Sequence, residues 1–179
     1  MNFKAKIMDS GEMDRALMRM AHQIIESNHG TDNICVIGIR RRGVPIAQRL
    51  AKNIALIEQC EEIPVGELDI TLYRDDLSSI SDMPRVNSTE ISFDVTGKKV
   101  VLADDVIFTG RTVRAAIDAV FALGRPSAIK LAVLVDRGHR ELPIRPDYVG
   151  KNIPTSLNEV VKVSVAEIDN NACVELFDK

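Results

Sequence analysis

The sequence contains no tryptophan, and only 4% of its residues are aromatic. Proteins that bind single-stranded nucleic acid on a sheet surface stack the bases on aromatic side chains, so a surface of that kind is not expected. Cysteines are also few, since Cys35, Cys60 and Cys173 are widely spaced and form no C-x-x-C pair. This scarcity argues against a structural zinc site or a disulfide framework and is typical of a reducing cytoplasm.

Long apolar runs are lacking as well. No run approaches the roughly 18 residues that a membrane helix requires, and the N-terminal stretch has no apolar segment of signal-peptide length. We therefore expect a cytoplasmic protein without a membrane partner. The net charge is −3, whereas general nucleic-acid binders are usually basic. A local basic surface remains compatible with that total.

The 179 residues, of which 45% are hydrophobic, are sufficient for one domain spanning 1–179. Asp9 and Glu12 have capping-box spacing, and apolar residues recur at helical spacing through 9–28, which predicts a helix. Further helices are predicted at 44–59 and 111–123, and strands at 33–39, 67–73, 98–104, 128–136, 159–166 and 172–177. The alternation predicts an α/β fold with a mostly parallel, twisted sheet flanked by helices.

Two segments lack periodicity. Residues 74–90 are polar and contain a proline, and a loop of this length is either a functional lid or a disordered insertion. Residues 137–156 contain Pro143, Pro146 and Pro154 and are predicted to be irregular.

The stretch VVLADDVIFTGRT, residues 100–112, combines a buried strand, two acidic residues and a turn. Asp104 and Asp105 end the predicted strand, where ligands of parallel sheets bind. Thr109 to Thr112 open the next helix, whose first N–H groups lack intrahelical partners and attract anions. The turn is therefore a candidate phosphate cradle, although a threonine that simply caps the helix is the alternative.

Two carboxylates beside a phosphate site would repel the phosphate unless something separates them. A ribose 5-phosphate does so, because its vicinal hydroxyls donate to the carboxylates while its phosphate occupies the turn. A Mg²⁺ ion chelated by those hydroxyls would also favour the acidic pair. Neither a Walker A loop nor a G-x-G-x-x-G turn is present, which argues against an NTPase or a dinucleotide-binding protein.

The stretch at residues 100–112 resembles the 13-residue phosphoribosyl pyrophosphate (PRPP) signature of the type I phosphoribosyltransferases. The likeness covers essentially the whole chain, including 66–77, 110–120 and 131–156. It implies the type I phosphoribosyltransferase fold with a small hood formed by 137–156. It also implies that 74–90, with Arg74, is a flexible lid over the substrate.

The resemblance further implies transfer of ribose 5-phosphate from PRPP to uracil, which yields UMP and pyrophosphate, with Mg²⁺ as cofactor. The ion would enter with PRPP near Asp104, Asp105 and Asp136, with no certain protein ligand. Arg40-Arg41 replaces the Lys-Thr pair common at this position in the family. The implied site comprises Asp104 and Asp105 for the ribose, Val106, Ile107, Phe108, Thr109, Gly110, Arg111 and Thr112 for the 5-phosphate, and Arg40, Arg41, Asp136, Arg137 and Val161 for pyrophosphate and the other substrate contacts.

The chain is most similar to those family members that also bind the leader mRNA of pyrimidine-biosynthesis genes when UMP is bound, and so regulate transcription by attenuation. This implies homodimers or homotetramers and a basic RNA surface. Met18 stands where a threonine is common, which removes a hydroxyl from that surface. The RNA contacts implied are Arg19, His22, His139, Arg140 and Arg145.

Three functions remain open at this stage. The first is the dual role of enzyme and regulator. The second is a salvage enzyme for uracil, or for another base such as guanine or hypoxanthine, whose basic helix face is merely solvated. The third is a regulator that binds PRPP or UMP but barely catalyses the transfer.

Overall fold

A computed structural model describes residues 1–71 and 89–179 of the chain. Arg74 and most of the predicted lid at 74–90 therefore lie outside the described residues. The elements are β1 (Asn2–Met8), α1 (Ser10–Asn28), β2 (Ile34–Ile39), α2 (Gly43–Glu58), β3 (Val65–Leu68), β4 (Lys99–Ile107), α3 (Arg111–Leu123), β5 (Ala128–Asp136), β6 (Tyr148–Asn152), β7 (Glu159–Ser164), α4 (Ala166–Asp169) and β8 (Cys173–Asp178).

The larger sheet has five strands in the order β3-β2-β4-β5-β6, and every adjacent pair is parallel. Its central strands are apolar along most of their length because both faces are covered. On one face, β2, β4 and β5 pack with α1 and α2, and on the other they pack with α3. The predicted parallel α/β architecture is confirmed.

A second, antiparallel sheet of three strands has the order β1-β8-β7. Val161 and Val163 of β7 join the same apolar cluster as Val101 and Ala103 of β4, so this sheet lies against the main core. β1 was not predicted from the sequence. Most of its side chains are exposed, which leaves little hydrophobic pattern, and its partner β8 lies at the other end of the chain.

The sequence placed several boundaries correctly. Asp9 caps α1 through the predicted capping box with Glu12. The third helix and the strand after it occupy the predicted ranges, 111–123 and 128–136. These segments have strong periodicity or a continuous apolar run, which makes them the easiest to recognise.

Three boundary predictions were wrong. The strand predicted at 67–73 is β3, which begins earlier and ends at Leu68. The strand predicted at 98–104 continues as β4 to Ile107, because its pairing with β5 persists to Asp136. Residues 137–156 are not irregular throughout, since Tyr148–Asn152 forms β6 at the edge of the larger sheet.

Within the described part of the chain, no helix combines the length and apolarity needed to span a bilayer.

Candidate active site

The turn between β4 and α3 encloses a cavity. Gly110 has a φ of +93°, a conformation that favours glycine. A Cβ at this position would lie 3.5 Å from Leu142, in the segment between β5 and β6. The N-terminus of α3 begins at this turn, and the helix dipole there favours negative charge. The cavity has a volume of about 310 Å³ and is lined by residues 106–113 and Glu141. The structure thus brings the predicted phosphate-binding residues together, and their ligand stays a prediction.

The rim of this cavity already carries a carboxylate. Glu141 accepts a hydrogen bond from Arg111 Nε at 2.7 Å, and both side chains are about half exposed. The backbone N–H of Glu141 also donates to the carbonyl of Thr109 at 2.9 Å. The segment after β5 is therefore attached to the cradle by both backbone and side chain.

Asp104 and Asp105 lie in the last part of β4, immediately before the cavity. Asp104 is 7% exposed and accepts a hydrogen bond from Asp105 N at 2.9 Å, while Asp105 accepts one from Val106 N at 2.8 Å. Burial, and then repulsion by Asp105, raises the pKa of Asp104 well above its ordinary value. Burial likewise raises the pKa of Asp105. Asp104 is buried and Asp105 partly buried, and neighbouring carboxylates with raised pKa values are typical of a functional site.

Close backbone packing fixes the β2–α2 loop against this pair. A Cβ on Gly43 would lie 2.4 Å from the carbonyl oxygen of Ala103 and 3.3 Å from Asp104 Cα. A Cβ on Gly38 would lie 2.5 Å from Val44 Cα. Only glycine permits these approaches, and they place the N-terminus of α2 directly beside the carboxylates. The Arg40–Arg41 peptide bond in this loop is cis.

The three arginines of this loop differ in their surroundings. Arg40 Nη2 donates to Glu67 at 2.8 Å and to Glu90 at 3.2 Å, on the β3 side of the loop. Arg41 is exposed and, together with Arg40, lines a separate depression of about 370 Å³ beside α2. The predicted pyrophosphate contacts Arg40 and Arg41 are thus not aimed at the carboxylate pair, and their role in binding stays a prediction.

Arg42 was not predicted as a site residue. Its Nε and Nη2 donate to the two carboxylate oxygens of Asp169 at 3.0 and 2.8 Å. The charge of Arg42 also lowers the pKa of Asp105, against the larger effect of burial. The run of three arginines was a visible signal, but nothing within the run indicates which partner each arginine has in the fold.

Arg137 is the buried cation at the end of β5. Its side chain is 6% exposed and lies 4.2 Å above the ring of Phe108. Its Nη2 donates to the carbonyls of Glu159 at 2.7 Å and Ser156 at 3.2 Å, and its buried Nε has no hydrogen-bond partner among the described residues. Burial lowers the pKa of Arg137. The residue links the cradle to the start of β7, which carries Val161.

Asp136 and Arg140 form a supporting pair. Asp136 Oδ2 accepts from Arg140 Nη2 at 2.5 Å and Oδ1 accepts from Gly138 N at 2.9 Å. Arg140 also donates to the carbonyls of Phe108 and Ile144, each at 2.9 Å. Both oxygens of Asp136 are therefore engaged, which leaves Asp104 and Asp105 as the better candidates for a metal-bound substrate.

The predicted RNA residues are divided between two environments. Arg19 and His22 are exposed on α1 and Arg145 is exposed before β6, although Arg19 also donates a hydrogen bond to the carbonyl of Gly150 in β6. His139 is partly buried and its Nε2 lies 2.6 Å from the carbonyl of Thr155. The guanidinium of Arg140 already contacts Asp136, Phe108 and Ile144. Of the five predicted RNA contacts, Arg140 therefore has the least direct support.

No cluster of three or more metal-ligating side chains occurs among the residues that the structure describes. Asp104 and Asp105 nevertheless fit a Mg²⁺ ion carried by a substrate. Each carboxylate uses one oxygen on a backbone N–H, and carboxylate oxygens are the donors that Mg²⁺ prefers.

A carboxylate pair at a strand end, next to a helix-terminal cradle, is the site architecture of a phosphoribosyltransferase. The family model described as "Phosphoribosyl transferase domain" matches residues 5–168, and the chain belongs to this family. A hypoxanthine-guanine phosphoribosyltransferase from Bacillus anthracis superposes with a TM-score of 0.69, at 22% identity and 98% coverage of each chain, which supports the fold.

Closer relatives narrow the assignment. The bifunctional protein PyrR of Thermus aquaticus is 60% identical over 179 residues, which is 100% of this chain and 98% of the relative. That of Acetivibrio thermocellus is 60% identical over 175 residues, 98% of this chain and 95% of the relative. Within the phosphoribosyltransferases, the chain is a member of the PyrR group.

Proposed function

We propose that this protein combines uracil phosphoribosyltransferase activity with UMP-dependent binding of the leader mRNA of pyrimidine-biosynthesis genes, through which it regulates transcription by attenuation. The observation that carries the proposal is the pair of buried Asp104 and partly buried Asp105 directly before the cavity lined by residues 106–113. The bifunctional PyrR relatives at about 60% identity support the second role.

In the transferase reaction the ribose hydroxyls of PRPP donate to the free oxygens of Asp104 and Asp105, and the 5-phosphate occupies the cradle. The C1–pyrophosphate bond breaks, uracil nitrogen bonds to C1, and the proton of that nitrogen is released. The protein requires no nucleophile of its own, because its contribution is to position the reactants and stabilise the charge on the departing pyrophosphate.

Magnesium is the cofactor that we assign to this site. The ion would supply positive charge that neutralises part of the charge on the departing pyrophosphate. Asp104 and Asp105 are the residues that would hold the ion, directly or through the ribose hydroxyls, as the family resemblance implied. Asp136 serves instead to support the turn after β5, through Gly138 and Arg140.

The regulatory role needs a connection between the nucleotide and the basic surface. Arg140 supplies one, since its guanidinium joins the carbonyl of Phe108 in the cradle to Asp136 and Ile144. A nucleotide that changes the cradle therefore acts on the segment that carries His139 and Arg145. An effector of this kind alters RNA affinity only through different affinities for the two states.

Two assays test the proposal. Uracil and PRPP with magnesium should yield UMP and pyrophosphate, and an absence of product would remove the enzymatic role. Filter binding with a pyrimidine leader hairpin should show tighter binding when UMP is added, and equal binding with and without UMP would remove the regulatory role.

A salvage enzyme without RNA regulation is the second candidate. It is favoured by the partners that two predicted RNA residues already have, namely Gly150 for Arg19 and Asp136 for Arg140. Retention of UMP synthesis with no UMP-stimulated RNA binding would select this candidate. Competition among uracil, guanine and hypoxanthine would then identify its base.

A further inference from the structure

The short turn that precedes β7 receives the guanidinium of Arg137. Arg137 Nη2 donates to the carbonyls of Glu159 at 2.7 Å and Ser156 at 3.2 Å, the residues on either side of this turn. The backbone of Arg137 is fixed separately, since its N–H donates to the carbonyl of Ile107 in β4 at 3.2 Å. The position of the guanidinium therefore depends on how the turn at residues 156–159 is held.

The carboxylate of Glu159 closes that turn. Glu159 Oε2 accepts from Ser156 N at 2.6 Å, and Glu159 N donates to the carbonyl of Ser156 at 3.2 Å. One side chain thus joins the two residues whose carbonyls accept from Arg137. Glu159 is only 7% exposed, and a carboxylate with so little access to water needs a cationic partner.

Lys4 of β1 supplies that cation from the far side of the second sheet. Its Nζ donates a hydrogen bond to Glu159 Oε1, although β8 lies between β1 and β7. The pairing of β1 with β8 shifts register between Phe3 and Ala5, at the position of Lys4, and irregularities of this kind re-aim a side chain. Hydrogen bonds from Lys4 and from Ser156 N lower the pKa of Glu159, so the carboxylate is ionised at neutral pH.

The guanidinium that this arrangement holds lies beside the phosphate cradle. The Cζ atom of Arg137 is 4.2 Å from the ring centroid of Phe108, which lines the cavity between β4 and α3. Arg137 Nε is buried and has no hydrogen-bond partner among residues 1–71 and 89–179. Buried donors without a partner are uncommon, and this one is left for an acceptor oxygen of a ligand. Burial lowers the pKa of Arg137, and the charge of Glu159 opposes that effect.

We propose that Glu159 and Lys4 are positioning residues for Arg137, and that through them the N-terminal strand sets the affinity of the site for UMP. The inference rests on the proposed transferase function, because it takes Arg137 to be a substrate contact. Without the charge of Lys4, the Glu159 carboxylate is released from β1 and the turn at 156–159 shifts. The Arg137 guanidinium then moves with the two carbonyls that hold it.

The first experiment compares Lys4→Met with the matched control Asp178→Asn. Asp178 also pairs with Lys4, at 3.7 Å, but both side chains are about half exposed, so this pair contributes little. We expect Lys4→Met to weaken UMP binding, measured by calorimetry, by about 3- to 10-fold, since one charge-assisted hydrogen bond is misplaced. Asp178→Asn should leave the UMP affinity within about twofold. Lys4→Arg, which keeps the charge, should bind UMP as the wild type does.

A double-mutant cycle then shows whether Glu159 acts through Arg137. Glu159→Gln should weaken UMP binding about 3- to 10-fold on its own and should have no further effect when Arg137→Gln is already present. Equal losses in the two backgrounds would overturn the inference, and so would equal UMP affinity in Lys4→Met and Asp178→Asn. Thermal unfolding of each variant separates these losses from general destabilisation. The comparison of the Lys4 and Asp178 variants is decisive if Arg137→Gln does not fold.

A spectroscopic measurement tests the positioning role without any ligand. An aromatic ring shifts the resonances of protons above it, so the Nε–H resonance of Arg137 reports where the guanidinium lies on Phe108. Lys4→Met should shift this resonance in the nucleotide-free protein, and Asp178→Asn should not. An unchanged resonance in Lys4→Met would contradict the positioning role. A wild-type protein that makes no UMP would instead refute the transferase function, while the resonance still decides whether Lys4 positions Arg137.

Discussion

Substitution of Gly43 by alanine tests whether the β2–α2 loop is fixed against the carboxylate pair. The added Cβ would lie 2.4 Å from the carbonyl oxygen of Ala103 and 3.3 Å from Asp104 Cα. Contacts of this kind are most favourable at about 3.5 Å, so the loop and β4 must separate by about 1 Å. Both partners are backbone atoms, and therefore no rotamer change can relieve the overlap.

The expected cost is about 2–3 kcal/mol, the upper part of the range for overpacked sites. For a chain of this size that cost lowers Tm by about 4–12 °C. Gly43 begins α2. Alanine is favoured over glycine in helices by up to about 1 kcal/mol, so helix propensity alone predicts that Gly43→Ala increases stability. A displacement of about 1 Å at a site that positions reactants costs about 100-fold in rate, and we expect a loss of that order in kcat/KM for PRPP.

Gly11→Ala is the matched control for thermal unfolding and UMP synthesis. This glycine lies in the first turn of α1, and its new Cβ would meet two side-chain atoms, the flexible end of Arg15 at 3.3 Å and Asp9 Oδ1 at 3.5 Å. We expect a change in stability within about 0.5 kcal/mol and normal activity. Equal Tm and equal kcat/KM in Gly43→Ala and this control would refute the predicted overlap.

Three further predictions concern charge. Asp104→Asn should weaken PRPP binding yet stabilise the fold by about 0.5–2 kcal/mol at pH 7. Burial raises the pKa of Asp104 above its ordinary value of 3.8, so ionisation of this carboxyl lowers the stability of the fold as the pH rises above 3.8. A gain in Tm that is no larger at pH 7 than at pH 4 would contradict this prediction. Hydrogen bonds from Arg42 lower the pKa of Asp169 to about 2. The ionised carboxylate therefore contributes about 1–2 kcal/mol to the stability of the fold after allowance for solvent screening. This contribution is complete above about pH 4 and is lost as the pH falls toward 2. Unfolding curves of Asp169→Asn and the wild type should therefore converge in acid, and a constant difference would count against the pair. Arg19→Ala should weaken RNA binding while UMP synthesis stays within about twofold, and joint loss of both activities would mean that the two surfaces are not separate.

Local patterns were sufficient to locate most of the parallel sheet. Residues 111–123 have a clear helical stripe and 128–136 a continuous apolar run, so their type and bounds were predictable. β1 and β6 were not, because each depends on a distant partner. β6 contains Gly150, which lacks a side chain and so allows the backbone to approach the carbonyl of Leu134. No pattern in the neighbouring sequence predicts this contact.

The candidate site was predictable only in part for the same reason. The motif at residues 100–112 identified the carboxylates and the cradle by type and spacing. It contained no information on the orientation of the loop arginines, which depends on Glu67 for Arg40 and on Asp169 for Arg42. Asp169 is 127 residues from Arg42 in the chain, and only the folded β7–α4–β8 unit brings them together.

The central claim is tested most directly by a crystal structure of the protein bound to UMP. We predict that both ribose hydroxyls lie within hydrogen-bond distance of the carboxylates of Asp104 and Asp105, with the phosphate bound by the backbone of Thr109 to Thr112. A nucleotide bound elsewhere, with these two carboxylates still free of ligand, would contradict the account.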